Sequence, residues 1–281
     1  CVAFGDFDGV HLGHRAVIDK MLELSKDGMT SVAVIFEYAD ELMEGTKVLT
    51  TKLEKKHFLS EDGPDVMISY KINQKGSQID VENFIKEVLL DKLGAKVIVT
   101  GKEDKNIETL RKCTKEYGIK LEECETVKFD GESVTSENII KEVEKGLLEK
   151  DDGMMGHHYL ITGEVMHGKA LGRTVGMPTA NIGYKTYKQL PACGVYGTLS
   201  TIDGVKVKGL TNIGKRPSVD SFDYITVEAF LLDFSGDLYG KILDLEVHVF
   251  IRGVMKFNGL DEVKAQVDKD IASIRDYLDN L

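Results

Sequence analysis

The sequence predicts two domains of different class, an α/β domain with a parallel sheet followed by an antiparallel β-sheet or barrel closed by one C-terminal helix. The chain has 281 residues, of which 42% are apolar, which is enough for two ordinary cores. Apolar residues recur with helical spacing in the first half and with period two in the second. The net charge is also divided unevenly, with −10 on residues 1–152 and −1 on residues 153–281. We therefore place the boundary between residues 152 and 153.

The first domain alternates short apolar runs with amphipathic segments, which is the pattern of βαβ units around a parallel sheet. Strands are expected near residues 2–4, 31–36, 66–68 and 96–100. Helices are expected near residues 14–25, 53–59, 81–93, 107–117 and 137–150. Residues 151–156 lose this periodicity and gather turn residues, so they are interpreted as the linker.

The second domain has period-two segments at residues 159–163, 226–234 and 242–251, and two more at residues 195–202 and 205–210. The last two flank Asp203-Gly204, residue types that tolerate the positive φ angles of a two-residue hairpin turn. These segments predict an antiparallel sheet or barrel. A final helix is expected to pack an apolar stripe against it, formed by Leu260, Val263, Val267, Ile271, Ile274 and Leu278.

Composition excludes several function classes. A net charge of −11 argues against a nucleic-acid partner. No apolar run approaches the roughly 18–20 residues that span a bilayer, and no signal peptide is apparent, so we expect a soluble cytoplasmic protein. The four cysteines lack metal-ligand or disulfide-framework spacing. The oligomeric state is left open.

A first candidate site follows the first expected strand, at Gly5-Asp6-Phe7-Asp8-Gly9-Val10-His11-Leu12-Gly13-His14. Glycines allow close approach of the backbone to a ligand, and a helix N-terminus presents free N–H groups to an anion. Two imidazoles can donate hydrogen bonds to phosphate oxygens and stabilise charge that develops at an attacked phosphorus. The alternative is a turn whose histidines only cap or pack the helix.

A second candidate site runs from Gly163 to Asn181. A strand is followed by a glycine-punctuated loop with Lys169 and Arg173, which is typical of a flap over an anionic ligand. Pro178 then presents Thr179 and Asn181, whose neutral oxygens suit a hydrated Mg²⁺ beside nucleotide phosphates. The alternatives are a β-turn chosen for backbone shape and, for Lys169, a solvated loop charge. No P-loop of the form Gly-x-x-x-x-Gly-Lys-[Ser/Thr] occurs.

The first site, read as strand, Gly-x-Phe-Asp-Gly-Val-His-x-Gly-His and helix, resembles the nucleotidyltransferase superfamily, and specifically the N-terminal domain of bifunctional riboflavin kinase/FAD synthetases. The resemblance implies a Rossmann-like domain that transfers the adenylyl group of ATP to FMN without a covalent intermediate. It implies that His11 and His14 are catalytic, holding the ATP phosphates. Nucleotide binding would fall to Gly5, Phe7, Asp8 and Gly9.

One residue and three segments of this domain depart from the family pattern. Asp6 stands where Asn is usual, and Phe36-Glu37-Tyr38-Ala39-Asp40 replaces Phe-Glu-Pro-His-Pro. Residues 101–107 lack both aromatics of the flavin-contacting motif, and residues 134–140 lack the arginines of Ser-Ser-Thr-Arg-Ile-Arg. Losing a guanidinium removes a fork of donors to phosphate. We therefore expect weakened FMN adenylylation, and a monofunctional riboflavin kinase with a weak or regulatory first domain is the alternative.

The second site resembles the riboflavin kinase signature Gly-x-x-x-Gly-x-x-x-Gly-Arg-x-x-Gly-x-Pro-Thr-Ala-Asn, and further matches follow in order at residues 194–196, 211–218, 227–234 and 236–241. The resemblance implies a six-stranded antiparallel flavokinase barrel that phosphorylates riboflavin with ATP and Mg²⁺. Glu228 would be the general base, and Thr179 and Asn181 the metal ligands. The other binding residues it implies are Gly163, Lys169, Gly172, Arg173, Pro178, Asn212, Arg216 and Arg252.

Rival interpretations come from other classes. A lone nucleotidyltransferase could carry an unrelated β domain, and a flavin-binding or regulatory module could have kept the fold after losing catalysis. Glu228 alone could be a carboxylate on a strand surface. The ordered set of motifs favours the enzyme, whose ligands are riboflavin, FMN and ATP.

Overall fold

The structure, a computed structural model, describes residues 1–26, 28–60, 63–72, 79–146, 148–167, 177–216 and 224–280, with the backbone alone at residues 41, 216 and 224. The chain forms two compact units. The first comprises Cys1–Ile139 and Met154–Gly156, and the second comprises Ile140–Gly153 and His157–Leu281. The boundary between residues 152 and 153 stays a prediction. Across the described ranges, no helix is long and apolar enough to cross a membrane.

The first unit contains the expected parallel sheet. Its strands are β1 (Val2–Gly5), β2 (Val32–Tyr38), β3 (Val66–Ile72), β4 (Val97–Gly101) and β5 (Lys120–Cys124), in the order β3-β2-β1-β4-β5. All neighbouring strands are parallel. Because β1 lies between β2 and β4, the strand order reverses there. Open α/β sheets bind ligands at the carboxyl ends of the strands beside such a reversal, which is where residues 5–11 lie.

Helices cover both faces of this sheet. They are α1 (Leu12–Ser25), α2 (Lys52–Ser60), α3 (Val81–Phe84) and α4 (Ile107–Tyr117). Ile18 and Met21 of α1 pack against Ala3 on one face, while Leu89 and Leu110 pack against the other face. A small hairpin of β6 (Lys128–Phe129) and β7 (Glu132–Ser133) follows β5. Two separate apolar clusters therefore hold the sheet from both sides.

Two predicted helices differ in detail. The 81–93 helix continues from α3 into a π-helix, Ile85–Leu90, in which Asp91 N–H donates to Lys86 O, five residues back. The 137–150 helix is instead divided into α5 (Ser136–Lys145) and α6 (Leu148–Met155) by Gly146, whose φ of 76° is left-handed. Such a conformation ends a helix and is easiest for glycine.

The prediction that residues 151–156 form a turn-rich linker is wrong, because α6 continues to Met155. Met154 and Met155 are buried, so the segment has apolar anchors that its turn-forming residues concealed. The carboxylate of Asp152 also accepts a hydrogen bond from the backbone N–H of Tyr159 (3.2 Å), which ties the end of α6 to the next strand.

The second unit contains the closed six-stranded barrel. Its strands are β8 (Tyr159–Met166), β9 (Ala180–Gly183), β10 (Gly194–Ile202), β11 (Val205–Arg216), β12 (Tyr224–Leu231) and β13 (Ile242–Gly253). They close in the order β10-β11-β12-β9-β8-β13, with antiparallel neighbours. The predicted turn is confirmed, since Asp203 and Gly204 have φ angles of 50° and 81° and join the paired residues Ile202 and Val205.

The terminal helix is also confirmed, as α7 (Leu260–Asp279). Its residues Val267, Ile271, Ile274 and Leu278 pack against Val195 and Leu210 of the barrel. Leu260 is 67% exposed, so the first residue of the predicted stripe does not take part. The apolar contact is made by the C-terminal part of the helix.

Candidate active sites

In the first unit, the glycine-rich segment forms a tight turn directly after β1. Phe7 and Val10 adopt positive φ angles of 47° and 42°, and both side chains are buried, which fixes the turn in the core. Gly9 has a φ of 83°, and a Cβ there would lie 2.7 Å from Leu49 Cδ1. Only glycine fits that position without a shift of its neighbour.

Asp8 joins this turn to the segment before α2. Its carboxylate accepts hydrogen bonds from the backbone N–H of Leu49 (3.0 Å) and from the N–H (2.9 Å) and Oγ1 (3.1 Å) of Thr50. The N–H of Gly9 in turn donates to Thr50 Oγ1 (2.7 Å). The contacts of Asp8 thus hold the turn in shape. Ligand binding by Gly5, Phe7, Asp8 and Gly9 stays a prediction.

The two histidines are brought together at the start of α1. The N–H of His14 donates to His11 Nδ1 (3.3 Å), and the two rings stack with centroids 3.7 Å apart. Burial, with His11 and Lys55 nearby, holds the pKa of His14 well below its usual range. His14 is therefore neutral near pH 7. Because His11 Nδ1 is an acceptor, the Nε2 of His11 carries the proton that can be donated to a ligand.

The segment before α5 closes the same site. Ser136 Oγ donates to the backbone oxygen of Asp8 (2.8 Å), and Asn138 N–H donates to Thr135 Oγ1 (3.2 Å). Glu137, in the first turn of α5, is exposed. The hydroxyls of this segment therefore stabilise the turn and the helix start, and residues 134–140 contain no lysine or arginine.

Two residues near this site were missed by sequence reasoning. Lys55 on α2 is half-buried and faces the carboxylates of Asp8 and Asp6, among others. The hydroxyl of Tyr38 hydrogen-bonds to Asp6, and burial together with this carboxylate raises the pKa of Tyr38 to about 12. The only available signal was that Asp6 and Tyr38 both depart from the family pattern, and the structure shows that they are partners.

In the second unit, three polar residues form one row across adjacent strands. Glu228 on β12 lies directly opposite Asn181 on β9 and opposite Asn212 on β11. Residues that are directly opposite in antiparallel strands point to the same face, with Cβ atoms about 5 Å apart. The structure therefore brings together the predicted general base and two predicted binding residues.

A pocket of about 470 Å³ lies beside the same strands, but Glu228, Asn181 and Asn212 do not line it, because its lining residues on β9 and β12 alternate with Asn181 and Glu228 and point to the other face. Pro178 and Thr179 line it, as do Ala180 and Ala229, which neighbour Asn181 and Glu228 along their strands. The remaining lining residues are Val165, Leu231, Phe234, Ser235, Gly236, Asp237, Leu238 and Tyr239. The ring of Tyr239 stacks on His167, with centroids 3.8 Å apart. The match at residues 236–241 had no assigned role, and here its first four residues form a wall of the pocket together with Phe234 and Ser235.

Two further predicted residues have clear packing roles. A Cβ on Gly163 would lie 2.2 Å from the backbone oxygen of Gly183, so glycine is required where β8 approaches β9. Nε of Arg252 donates to both carboxylate oxygens of Asp270 on α7 (3.1 and 2.9 Å), and Nη2 lies 2.9 Å from Oδ2. The guanidinium of Arg252 is thus held by α7. For both residues, ligand binding stays a prediction.

Some predicted residues cannot be placed. Lys169, Gly172 and Arg173 lie outside the described residues, and for Arg216 only the backbone is described, paired with Tyr224. Within the described ranges, no group of three or more His, Cys, Asp or Glu residues is arranged to hold a metal ion. That result does not test Thr179 and Asn181, which are of other residue types.

Comparison with known proteins shows similarity over both units. The riboflavin kinase family model matches residues 155–278, and the FAD synthetase model matches residues 1–138. A bifunctional riboflavin kinase/FMN adenylyltransferase from Pseudomonas fluorescens is 30% identical over 98% of this chain and 92% of its own length. The enzyme of that name from Escherichia coli K12 is 31% identical over 99% of this chain and 92% of its own length.

Structural comparison supports the fold. A crystal structure described as a macrolide-efflux protein from Streptococcus pneumoniae has a TM-score of 0.82 and 23% identity, covering 98% of this chain and 93% of its own. The match to the FAD synthetase model disfavours a monofunctional kinase, and the match to the riboflavin kinase model disfavours a lone nucleotidyltransferase with an unrelated β domain.

Proposed function

Because the chain belongs to the bifunctional riboflavin kinase/FMN adenylyltransferase family, we propose that its second unit phosphorylates riboflavin with ATP and that its first unit adenylylates the FMN product to give FAD. The observation that carries the kinase assignment is the row of Asn181, Glu228 and Asn212 on three paired strands. The reaction needs a base and oxygen ligands close together, and the strand register places Glu228 directly opposite Asn181.

In the kinase reaction, Glu228 accepts the proton of the riboflavin 5′-hydroxyl as that oxygen attacks the γ-phosphorus of ATP, and ADP leaves. A carboxylate on a strand is well suited to this role because sheet pairing fixes its position. The nucleotide occupies the 470 Å³ pocket, with its phosphates toward Thr179. Phosphoryl transfer depends mostly on alignment and charge stabilisation, which favours such a rigid framework.

Thr179 and Asn181 are the residues that would hold Mg²⁺. Both offer neutral oxygens, which suit a hydrated ion bound mainly by nucleotide phosphates. Asn181 is opposite Glu228, so this position also fits the reacting end of the nucleotide. When bound, the metal neutralises charge on the transferred phosphoryl group.

In the adenylyl transfer, a phosphate oxygen of FMN attacks the α-phosphorus of ATP, and pyrophosphate leaves. His11 and His14 lie at the N-terminus of α1, where helix N–H groups already favour an anion. Their ring N–H groups donate to phosphate oxygens, which stabilises the charge that develops on those oxygens. The turn held by Asp8 and Gly9 would fix both rings in place.

One chromatographic assay tests both activities. The purified full chain is incubated with riboflavin and Mg-ATP, and in parallel with FMN and Mg-ATP, and riboflavin, FMN and FAD are quantified over time. We expect FMN to form first and FAD to form more slowly. Failure to form FMN would reject the kinase assignment, and failure to form FAD from supplied FMN would reject the adenylyltransferase assignment.

A further inference from the structure

We propose that Lys55 binds the triphosphate of ATP in the first unit and supplies the cationic contact that residues 134–140 do not. The proposal rests on the adenylyl transfer assigned above. Residues 134–140 close the site but carry one exposed carboxylate and no cation. His14 is no substitute, because its lowered pKa leaves it neutral near pH 7. A polyanion here needs a positive charge from another element.

The start of α2 is fixed beside the turn. Asp8 accepts hydrogen bonds from Leu49 and Thr50, which immediately precede the helix. The N–H of Thr51 donates to the carboxylate of Glu54 (2.6 Å), and Glu54 is completely buried. A Thr followed three residues later by Glu is a capping box, which holds a helix start rigidly. Lys55 comes one residue later and is therefore tied to the same framework.

The charges around Lys55 place it at the site. Asp8, Asp6, Glu54 and Glu37 all act to raise the pKa of Lys55, and Lys55 acts to lower the pKa of His14, so Lys55 lies within electrostatic range of the turn and of that ring. Each carboxylate also has another partner. Asp8 and Glu54 accept backbone N–H groups, Asp6 binds Tyr38, and Glu37 pairs with Lys52 (2.6 Å). The Lys55 side chain is thus within electrostatic range of several acids that have other partners.

A lysine near several acids that each have another partner is well suited to bind a phosphate ligand. Burial, the largest cause, lowers the pKa of Lys55 and the surrounding carboxylates oppose that shift, so a half-buried lysine on a fixed helix stands ready to gain charge stabilisation from a bound anion. An incoming triphosphate adds negative charge next to Asp6 and Asp8, and Lys55 is placed to offset it. The rival interpretation is that Lys55 only neutralises the acidic turn. On that interpretation its loss destabilises the unit without a selective effect on ATP.

Four variants of the full chain separate these interpretations: Lys55→Met, Lys55→Arg, Lys56→Met and Asp6→Asn. Lys56 is the exposed neighbour of Lys55 and serves as the matched control. The Michaelis constant for ATP and kcat are measured for FAD formation from supplied FMN. Riboflavin phosphorylation by the same preparations reports that the second unit is intact, and urea titrations read by hydrogen exchange of peptides from residues 1–139 report that the first unit is folded.

We expect Lys55→Met to raise the Michaelis constant for ATP by roughly ten- to a hundredfold, the value of a hydrogen bond to a charged group. Lys55→Arg should stay within about threefold of the unchanged chain because it keeps the charge. Lys56→Met should have no effect. Asp6→Asn should lower the constant by about two- to fivefold, since it removes one carboxylate beside the phosphates.

Equal Michaelis constants for ATP in Lys55→Met and Lys56→Met would overturn the proposal. So would a loss of stability in Lys55→Met that Asp6→Asn restores together with activity. Equilibrium dialysis with a non-hydrolysable ATP analogue counts nucleotide sites independently of catalysis, and Lys55→Met should remove one of two. If the unchanged chain makes no FAD but shows this loss, the adenylyltransferase assignment fails and Lys55 keeps its role. A single site in the unchanged chain rejects both.

Discussion

The two candidate sites are built in different ways. In the first unit, the site is a turn held by side-chain hydrogen bonds, with Asp8 bound to Leu49 and Thr50 and Ser136 bound to Asp8. In the second unit, Glu228, Asn181 and Asn212 are placed by the register of three paired strands. The shape of the turn depends on each of its few hydrogen bonds. The row on the strands depends instead on the whole barrel, which many residues stabilise. Replacing a polar residue should therefore change the shape of the site in the first unit, whereas in the second unit it should remove a reacting group and leave the shape intact.

The largest expected effect is that of Glu228→Ala. Because strand pairing fixes the backbone of Glu228, the variant should keep its fold and lose FMN formation by roughly 10²–10⁴-fold, the usual contribution of a general base. FAD formation from supplied FMN should not change, since it belongs to the other unit. The matched control is Glu164→Ala, an exposed carboxylate on β8. FMN formation by Glu228→Ala at the rate of this control would remove Glu228 from its role.

The two units should also differ in how their stability depends on pH, and we expect the larger effect in the second unit. Asp151 is fully buried, and neither carboxylate oxygen has a hydrogen-bond partner in the part of the chain that the structure describes. Burial, reinforced by Asp152 and Glu142, raises the pKa of Asp151 to about 8. The unfolded chain ionises Asp151 near pH 4, so stability is lost as the pH rises from about 4 to about 8.

Asp151→Asn should remove this loss. At pH 8 the variant should be more stable than the unchanged chain by on the order of 2 kcal/mol, with a much smaller difference at pH 5. Urea titrations followed by hydrogen-exchange mass spectrometry report on peptides of each unit separately. Glu149→Gln, an exposed position on the same helix, is the control and should have no effect. A difference that does not depend on pH would contradict the assigned pKa.

The contrast between the units also shows what the sequence could predict. Barrel, terminal helix and parallel sheet were predictable because Ile274, Leu278 and similar residues repeat with the period of their element. The row of Glu228, Asn181 and Asn212 was predictable as a set of motifs, but its geometry needed the strand register. β5 carries a single aliphatic residue, Leu121, at the edge of the sheet, so it gave no apolar signal.

Side-chain partnerships were the least predictable part. Nothing in the pattern of α2 distinguishes Lys55 from its exposed neighbour Lys56, because the difference arises when α2 is placed beside the turn. Likewise, Asp6 and Tyr38 are 32 positions apart and meet only through the parallel pairing of β1 and β2. Long-range electrostatics of this kind depend on the tertiary structure and not on local periodicity.

The dependence of the first site on its turn is tested by Gly9→Ala. The new Cβ would lie 2.7 Å from Leu49 Cδ1, at a φ of 83° that is unfavourable for alanine. We expect FAD formation to fall by about ten- to a hundredfold through displacement of His11, at a cost of roughly 1–3 kcal/mol. FMN formation should not change.

The control for strain alone is Gly118→Ala at the end of α4. Its φ is 68°, and no described atom lies within 4 Å of the added Cβ. This variant should lose about 1 kcal/mol of stability and keep its FAD formation. If Gly9→Ala behaved in the same way, the shape of the turn would not control adenylyl transfer, and the contrast between the sites would fail.

The smallest expected effect concerns how the stability of each unit changes at acidic pH. His158 Nδ1 lies 2.5 Å from Asp152 Oδ2, and this hydrogen bond raises the pKa of His158. The pair therefore stabilises the second unit below about pH 6.5 and loses that contribution as the pH rises through the raised pKa. His14 acts in the opposite direction in the first unit. Because its pKa is depressed, stability is lost there as the pH falls below about 6.5.

Asp152→Asn should make the second unit less stable at pH 6 by about 0.5 kcal/mol, a small value because solvent screens this partly exposed pair. The difference should shrink and then reverse toward pH 9, where His158 is neutral in both chains and the ionised Asp151 no longer has the Asp152 carboxylate beside it. The first unit should become less stable between pH 7 and pH 5 in both the variant and the unchanged chain. Urea titrations at these pH values, read by hydrogen exchange of peptides from each unit, measure both trends. Parallel pH profiles for the two units would mean that His14 and His158 do not control their titration.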